Sequence, residues 1–324
     1  MANPKLSIIV PCGPNDDQKL KSFLYSVFKQ DIGRDNYELL VGKNGNSEQA
    51  KAYAIQKARG EVLGFFCSDN FMRDPDFLSS MTRLALMPGV TGAYTASYDY
   101  VRTDKPLSRY FALLGANDPL CWWLGKADRQ SYLEPVTPGF SSFKEAIPSI
   151  GDNGFFVKRS AIEKIKIDPD THFPMDMCED LRKAGEYTYY RSIHRLWHKS
   201  GEGFLNYFRR RYVYTRDLYF RQREKRRWHM VSERDWFSVV CFAAASILLV
   251  PHLWLSIRGF RKVRDFAWFL HPLVCLALTF IYGLCFLQWQ LKRLSLFLRW
   301  TGRKVLEGVL LLSRRRPSAT LKSS

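Results

Sequence analysis

Two long stretches without formal charge dominate the last third of this 324-residue chain. Trp236 to Ile257 spans 22 residues and Phe266 to Gln290 spans 25 residues. A helix of either length crosses the roughly 30 Å hydrocarbon core of a bilayer. Lys and Arg flank both stretches and tryptophans lie near their ends, as is typical of membrane boundaries. The sequence therefore predicts two hydrophobic membrane helices within residues 233–290. Two buried helices of a protein core are the alternative.

The connector between the two stretches, RGFRKVR, carries four basic residues. In a spanning hairpin it would lie on the far side of the membrane, which the positive-inside rule disfavours. A re-entrant hairpin held at one face therefore stays an alternative. Residues 291–324 follow, and we expect Leu291 to Leu312 to form an amphipathic helix in the headgroup region. The basic end beyond it should be drawn to anionic lipid.

Positive charge is concentrated in the same third of the chain. From Gly201 onward 23 Lys/Arg stand against 7 Asp/Glu, a surplus of 16, whereas the first 200 residues have a surplus of only 2. This distribution predicts membrane lipids as partners. It argues against nucleic acid as a partner, because a protein that binds nucleic acid along its whole length would not confine its positive charge to the last third of the chain. Seven cysteines without a CxxC pair suit a reducing compartment, and the N-terminus has no secretory signal. We thus expect a membrane-bound protein whose residues 1–232 form a cytoplasmic catalytic domain, separable from its anchor near Ser232.

The first part of the chain alternates strands and helices. Leu6 to Val10, Tyr37 to Gly42 and Val62 to Phe66 are apolar runs of strand length. Residues 17–30 and 47–60 between them read as helices. Strand, helix, strand, helix, strand at this spacing predicts an α/β fold with a parallel, helix-covered sheet.

Polar loops follow all three predicted strands, at residues 12–16, 43–47 and 67–70. Open α/β sheets bind ligands at this edge. The first loop, PCGPND, lacks the GxGxxG turn of dinucleotide-binding folds, and no GKS or GKT is present for a P-loop. The third loop, CSDN, fits a plain turn. A carboxylate beside an amide also suits a hard divalent ion, Mg²⁺ or Mn²⁺, that bridges a diphosphate.

These segments resemble the family-2 inverting glycosyltransferases of GT-A fold. The resemblance covers about Leu6 to His198 and rests on LSIIVP, YELLVGKNGNS, ARGEVLGFFCSDNFMRDPDFL, GDNGFFVKRSAI and FPMDMCEDLRKAG. It implies a GT-A nucleotide-diphospho-sugar transferase sheet, here followed by a C-terminal helical membrane anchor. In that family the third strand ends in a DxD motif whose last Asp holds the metal, and Asp69 matches it. Cys67 stands where the first Asp is expected, and Lys43 where relatives usually carry an Asp that reads the base.

The resemblance also implies the binding residues. Asp69 and His198, which lies in WHKSGEGF, are the implied metal ligands. The implied donor contacts are Pro11, Gly13, Asn15, Asn44, Ser68, Asn70, Asp152 and Asn153. A Gly-flanked turn explains Asp152 and Asn153 equally well, and a lone histidine is more often structural.

An inverting transfer needs a base that takes the proton of the attacking hydroxyl. Asp176, nine residues before Gly185, is the favoured candidate because this spacing is family-like. Asp180, one helical turn further, is the second. Asp176 and Glu179 also fit a capping box with Asp176 as the N-cap residue.

Together these inferences predict a metal-dependent inverting glycosyltransferase of the hexosyltransferase type. It would move a sugar from a nucleotide-sugar donor to a lipid-linked acceptor, either a polyprenyl phosphate or a lipid-linked glycan. The lipid part rests on the basic apolar tail. The alternatives are a transferase with a non-lipid glycan acceptor, a nucleotidyltransferase, and a non-catalytic GT-A-like membrane scaffold, which Cys67 and Lys43 favour.

Overall fold

The computed structural model of the protein describes residues 3–13, 16–43, 46–199 and 203–314. Two of the predicted donor contacts, Asn15 and Asn44, lie outside these ranges, as does the basic end beyond residue 314. Side chains are described to Thr301, with Lys304 and Glu307 beyond it.

The predicted alternation of strands and helices is confirmed at the N-terminus. Strands β1 (Leu6–Pro11), β2 (Tyr37–Gly42) and β3 (Val62–Phe65) alternate with helices α1 (Asp17–Phe28) and α2 (Ser47–Lys57). β1 lies between β2 and β3 and is parallel to both. Every residue of β1 and β3 is buried, as expected for strands with helices over the sheet. The carboxyl ends of these strands therefore meet at one sheet edge.

The remaining elements complete the sheet and its layers. They are β4 (Asn70–Phe71), α3 (Phe77–Leu86), β5 (Gly92–Tyr98), α4 (Pro106–Leu114), α5 (Pro119–Trp123), β6 (Gly139–Ser142), β7 (Phe155–Lys158), α6 (Arg159–Ile162), α7 (Pro174–Lys183), β8 (Thr188–His198) and α8 (Phe204–Tyr214). The strand order is β2-β1-β3-β7-β5-β8-β4, with β6 paired to β8.

The sheet is mixed, so the prediction of a parallel sheet is wrong beyond β3. β7 lies between β3 and β5 and is antiparallel to both. Phe156 of β7 fixes it there by packing edge-on against Phe66, with ring centroids 5.7 Å apart. A Cβ at Gly92 would lie 2.0 Å from the Phe156 carbonyl oxygen, so only glycine permits β5 to approach β7 this closely.

The first predicted membrane segment is two helices rather than one. α9 (Trp236–Leu248) and α10 (Val250–Lys262) meet at an 82° bend. Leu249 at the bend has φ of 62°, in the left-handed region. Pro251 follows, and its ring and missing N–H prevent continuation of the preceding helix. Residues 236–257 therefore do not form one straight spanning helix. The bend is compatible with the re-entrant alternative.

The second predicted segment belongs to a much longer helix. A short 3₁₀ turn, Phe266–Leu270, leads into α11 (His271–Arg314), which has 44 residues. The amphipathic helix expected from Leu291 is the continuation of α11 and not a separate element. Within the described residues, Phe266–Thr301 is long and apolar enough to cross a membrane, and α9 with α10 would add a second span only if the bent pair counts as one. Buried core helices meet the same criteria, so the span stays a prediction.

The C-terminal helices share a core with the preceding domain. Trp268, Val274 and Leu278 pack in one apolar cluster with Tyr110 and Leu113 of α4. Polar contacts also cross the predicted boundary at 232. Lys126 Nζ lies 2.6 Å from Asp235 Oδ2, and Trp123 Nε1 donates to the Ser238 carbonyl at 3.0 Å. The C-terminal helices are therefore packed onto the preceding domain, and the expected separation of domain and anchor near Ser232 stays a prediction.

Candidate active site

A polar cavity of about 470 Å³ lies beyond the carboxyl ends of β1 and β3. Seven of the predicted binding residues line it: Pro11, Gly13, Ser68, Asp69, Asp152, Asn153 and His198. They come from the β1 and β3 loops, the turn before β7 and the end of β8. The sheet thus brings together side chains that are up to 187 positions apart in the chain.

The loop after β3 is both a turn and a cavity wall. The Cys67 N–H donates to Asn70 Oδ1 at 2.9 Å, and the Asn70 N–H donates to the Cys67 carbonyl at 3.0 Å. This closed turn leaves Asp69 at its tip, facing the cavity. Asn70 itself is fully buried, with its amide donating to Asn153 Oδ1 at 3.1 Å. The polar atoms of Asn70 are thus used within the protein and Asn70 does not line the cavity, so a contact of Asn70 with the donor stays a prediction.

Asp69 and His198 form an ion pair on the cavity wall. β4 pairs with the end of β8 and sets Asn70 opposite His198, which leaves His198 Nε2 3.4 Å from Asp69 Oδ1. Burial opposes charge on His198, yet the neighbouring Asp69 carboxylate raises the histidine pKa above its ordinary value. Burial likewise opposes ionisation of Asp69, but His198 lowers its pKa below the ordinary value. A carboxylate oxygen and an imidazole nitrogen this close, at a cavity, fit a divalent cation.

A buried lysine neutralises the acidic residue of the GDNG turn. Lys51 of α2 has a side chain only 3% exposed and bonds to Asp152, with Glu48 Oε2 3.6 Å away. Burial opposes its charge, but Asp152 and Glu48 raise the Lys51 pKa above its ordinary value. The sequence interpretation missed Lys51. Its signal was a lone lysine on the alanine-rich face of α2 that includes Ala50 and Ala54.

Cys67 is a neutral thiol at the position of the first DxD aspartate. Its Sγ lies 3.5 Å from Asp152 Oδ2. Burial and the Asp152 carboxylate raise the thiol pKa well above its ordinary value. Cys67 therefore cannot supply the negative charge that an aspartate would give there.

Part of the cavity wall is basic and connects to α11. Arg210 and Arg211 of α8 line it, and Arg211 Nη1 lies 3.3 Å from Asp118 Oδ2. The Arg211 guanidinium also donates to the Asn117 carbonyl at 2.8 Å. Tyr282 of α11 donates its hydroxyl to Asp118. The long C-terminal helix thus contributes directly to the position of a carboxylate at the cavity.

Asp176 is buried beneath a loop and does not line the cavity. α7 begins after Phe173 as N-cap, so the prediction of Asp176 as N-cap is wrong; Pro174 at the helix start displaces it inward. Asp176 Oδ1 accepts the N–H groups of Arg227 at 2.9 Å and Trp228 at 2.8 Å. The Arg226 guanidinium lies 3.3 Å from Oδ2. These contacts hold the 226–228 loop on α7.

Asp180, the second candidate base, is partly exposed. Its side chain is 21% exposed and lies 2.7 Å from Arg227 Nε. Burial raises the pKa of Asp180 despite the opposing charge of Arg227. Asp180 is not on the cavity wall either, although Met175 and Trp228 near it are.

An apolar cavity of about 320 Å³ adjoins the polar one. It lies between the 215–231 segment and helices α9 and α11. Its apolar and small lining residues include Leu120, Phe220, Val231, Val239, Phe242, Ala243, Thr279, Gly283, Phe286 and Trp289. Tyr219, Trp228 and Met230 line both cavities. No local sequence pattern predicted this cavity, because the residues that line it come from segments up to about 170 positions apart.

Comparison with known proteins gives matches in structure only. No family model and no curated protein matches the sequence. Similar solved structures include the mannosyltransferase PcManGT from Pyrobaculum calidifontis in complex with GDP-Man and Mn²⁺, at 12% identity and TM-score 0.49, covering 88% of this chain and 87% of that one. S. aureus TarS is similar at 13% identity and TM-score 0.44, covering 65% of this chain and 39% of TarS. TarS 1–349 in complex with UDP-GlcNAc is similar at 14% identity and TM-score 0.38, covering 86% and 89%. At these sequence identities and TM-scores, the similar structures do not establish an activity for this chain.

Proposed function

We propose that this protein is a membrane-bound, inverting glycosyltransferase that moves a sugar from a nucleotide-sugar donor to a lipid-linked acceptor. One observation carries the proposal: the polar cavity at the strand ends adjoins an apolar cavity against the C-terminal helices. Three residues line both cavities: Tyr219, Trp228 and Met230. A reaction between a charged donor and an apolar acceptor needs such a junction, since each substrate has its own solvation requirement.

The donor half of the proposal rests on the Asp69–His198 pair and on basic residues that line the same cavity. We assign Asp69 and His198 as ligands of Mg²⁺ or Mn²⁺, which would offset the charge of the leaving nucleotide diphosphate when bound. Arg210 and Lys19 line the same cavity and add positive charge for the phosphates. Pro11, Gly13 and Ser68 would contact the donor from the strand ends.

For the base, the geometry favours Asp180 over Asp176. A general base must reach the hydroxyl proton, directly or through one water. Asp176 has no exposed surface and already holds two backbone N–H groups and Arg226. Asp180 keeps exposed surface, and burial raises its pKa, which favours its acceptance of a proton. We therefore assign Asp176 to positioning the 226–228 loop and the base role to Asp180.

The acceptor half rests on the apolar cavity. An isoprenoid chain would bury its methyl groups against Phe242, Phe286 and Val239, while Arg223 at the same cavity meets the phosphate. We infer a polyprenyl phosphate or a glycan carried on one, presented from the cytoplasmic face.

Filling the apolar cavity tests the proposal. Gly283 lines the cavity and a Cβ added there has nothing within 4 Å, so Gly283→Leu adds an apolar side chain at the cavity wall without a clash at Cβ. We expect transfer to a detergent-solubilised polyprenyl phosphate to fall at least about tenfold, since an occupied pocket loses the burial that binds the chain. Nucleotide release by donor hydrolysis should be unchanged. Ser295→Leu, on an exposed part of the same helix, is the matched control.

Two outcomes would contradict the proposal. Full lipid transfer by Gly283→Leu would remove the acceptor assignment. Absence of nucleotide release across a panel of nucleotide sugars with Mg²⁺ and Mn²⁺ would remove the enzymatic assignment altogether.

A non-catalytic membrane scaffold is the second candidate. It is favoured by the neutral thiol of Cys67 and by the pairing of Asp152 with Lys51, which together leave fewer free carboxylates at the cavity than a DxD motif gives. Binding of a nucleotide sugar without turnover, in the panel above, would support it.

A further inference from the structure

Three metal-binding side chains meet at the junction of α10 and α11, away from the polar cavity. His252 of α10 and His271 of α11 are each 1% exposed, and Cys275 of α11 is fully buried. His271 and Cys275 are four positions apart, so both lie on one face of the helix. One ligand atom from each residue lies within 4.8 Å of the other two.

Two of the distances in this cluster match those of a tetrahedral metal centre. His252 Nδ1 lies 3.2 Å from His271 Nε2, and Cys275 Sγ lies 3.6 Å from the same nitrogen. Around Zn²⁺, with Zn–N of about 2.0–2.1 Å and Zn–S of about 2.3 Å, two nitrogens lie about 3.4 Å apart and a nitrogen and a sulfur about 3.6 Å. These two spacings agree with this geometry, whereas Cys275 Sγ also lies 3.7 Å from His271 Nδ1, so the thiol lies over the imidazole ring and must rotate about χ1 to share an ion with Nε2.

The remaining nitrogen of each imidazole is bonded to a hydroxyl. Tyr110 OH lies 2.6 Å from His271 Nδ1, and Ser246 Oγ lies 3.1 Å from His252 Nε2. Such outer contacts fix the ring orientation of histidines that bind metals and leave the other nitrogen directed at the ion. Here they leave His252 Nδ1 and His271 Nε2 directed at each other, with Cys275 Sγ beside the His271 ring.

We propose that His252, His271 and Cys275 form a structural Zn²⁺ site. Two imidazoles and a thiolate are a ligand set that Zn²⁺ prefers. The site would tie α10 to α11 beside the 82° bend and, through Tyr110, tie both to α4. It is a separate site from the one proposed for sugar transfer, because none of its three ligands lines either cavity. The same side chains joined only by hydrogen bonds, without metal, are the competing arrangement.

The fold around the site gives the ion a structural consequence. The His252 ring packs against Phe242 of α9, with ring centroids 5.4 Å apart, and Phe242 lines the apolar cavity. A metal that fixes His252 would therefore also fix one wall of that cavity. Removal of the ion should loosen the α9–α10 bend first.

The test is metal analysis of the full chain, purified in detergent without added metal or chelator. We expect about one zinc per chain by mass spectrometry. After exchange for Co²⁺, we expect a near-ultraviolet thiolate-to-cobalt absorption band. Cys275→Ser, which keeps the side-chain size, should lose the band and most of the zinc. Cys285→Ser is the matched control, since Cys285 is also buried in α11 but lies beside the Tyr212 carbonyl rather than the histidines.

A second control excludes the thiol at the polar cavity: Cys67→Ser should keep both the zinc and the cobalt band. Thermal unfolding of the wild-type chain should shift down on chelation, and Cys275→Ser should not shift further. Zinc far below one equivalent, with no cobalt band in the wild-type protein, would overturn the proposal. The three side chains would then be joined by hydrogen bonds alone, without a metal. A band that persists in Cys275→Ser but disappears in Cys67→Ser would overturn it as well.

Discussion

At the scale of single residues, the Asp69–His198 pair shows how a short turn and a distant strand create one site. The turn at residues 67–70 projects Asp69, and the β4–β8 pairing delivers His198 from far along the chain. Each group stabilises the charged form of the other despite burial. In this conformation the Asp69 carboxylate balances the charge of the protonated His198. A cation bound by both residues would replace the proton on the His198 imidazole.

Loss of the Asp69 charge should abolish the proposed metal function. We expect Asp69→Asn to lose divalent-dependent binding of a nucleoside diphosphate, because the amide cannot replace the carboxylate as a ligand of a hard cation. Titration calorimetry with and without Mn²⁺ measures this. Asp74→Asn is the matched control, since Asp74 pairs with His194 at 3.2 Å on the outside of the protein. Unchanged metal-dependent binding by Asp69→Asn would exclude Asp69 as a ligand.

Metal affinity should depend on pH through His198. A histidine binds metal only when neutral, and the His198 pKa is raised above its ordinary 6.5. Affinity for Mn²⁺ should therefore increase with pH across that raised pKa, and the stabilising ion pair of the metal-free protein should be lost over the same range as His198 deprotonates. Calorimetry from about pH 6 to 9 measures the first effect. His198→Gln should remove the dependence and His194→Gln should keep it; a flat profile for the wild-type chain would refute the assignment.

At the scale of elements, α7 and the 226–228 loop act as a unit. Asp176 binds the loop through two backbone N–H groups, and Asp180 binds it through Arg227. Because the first contact is buried and the second is partly exposed, the two carboxylates should respond differently to substitution.

We expect Asp176→Asn to destabilise the fold and Asp180→Asn to impair catalysis. Removing the charge of Asp176 leaves Arg226 buried without its partner, at a cost of about 3–5 kcal/mol in the free energy of unfolding. Asp180→Asn should lower turnover about a hundredfold or more with little change in stability, as for loss of a general base. Denaturant unfolding and single-turnover rates separate the two effects. Normal stability with lost turnover in Asp176→Asn would return the base role to Asp176.

Local sequence patterns predicted the helices and strands whose formation depends on neighbouring residues. The helix α2 begins where Asn46 accepts the N–H groups of Glu48 and Gln49, and β1 to β3 follow runs of apolar residues. The antiparallel insertion of β7 depends on Phe156 and Gly92 meeting across the sheet, which no window of sequence contains. The break at Leu249 had a local signal in Pro251, but the absence of charge over 22 residues outweighed it.

The site was predictable where it follows strand ends and not where it depends on burial. The strand-end rule placed Asp69, Ser68 and Gly13 at one cavity. Burial decided the roles of Lys51, Asn70 and Asp176, and burial is a property of the packed molecule. Resemblance alone therefore assigned Asn70 and Asp176 to ligand-facing positions that their packing does not give them.

At the scale of the whole molecule, the N-terminal α/β domain and the C-terminal helices form one packed unit. The apolar cluster that joins Tyr110 to Trp268, and the polar contacts of Lys126 and Trp123, cross the boundary expected from sequence. Substrate binding and membrane attachment are thus expected to be linked rather than modular.

Attachment to membranes should resist salt. At about 1 M NaCl the screening length falls to about 3 Å, so attraction between Lys/Arg and anionic headgroups is largely removed, whereas apolar burial is not weakened. We expect the full chain to sediment with membranes after such a wash and to be released by detergent. Release by salt alone would show that the basic residues, and not α11 or the bent pair, hold the protein.

The unbroken length of α11 has a geometric consequence. At 1.5 Å per residue its 44 residues extend about 66 Å, roughly twice the thickness of bilayer hydrocarbon. Its first turns are fixed by Val274 and Leu278 in the core, while residues 291–300 are exposed throughout. Because α11 is one unbroken helix packed at its N-terminal end, side-chain packing around α4 sets its direction relative to the polar cavity. Any variant that turns α11 by a few degrees would displace its far end by several ångströms.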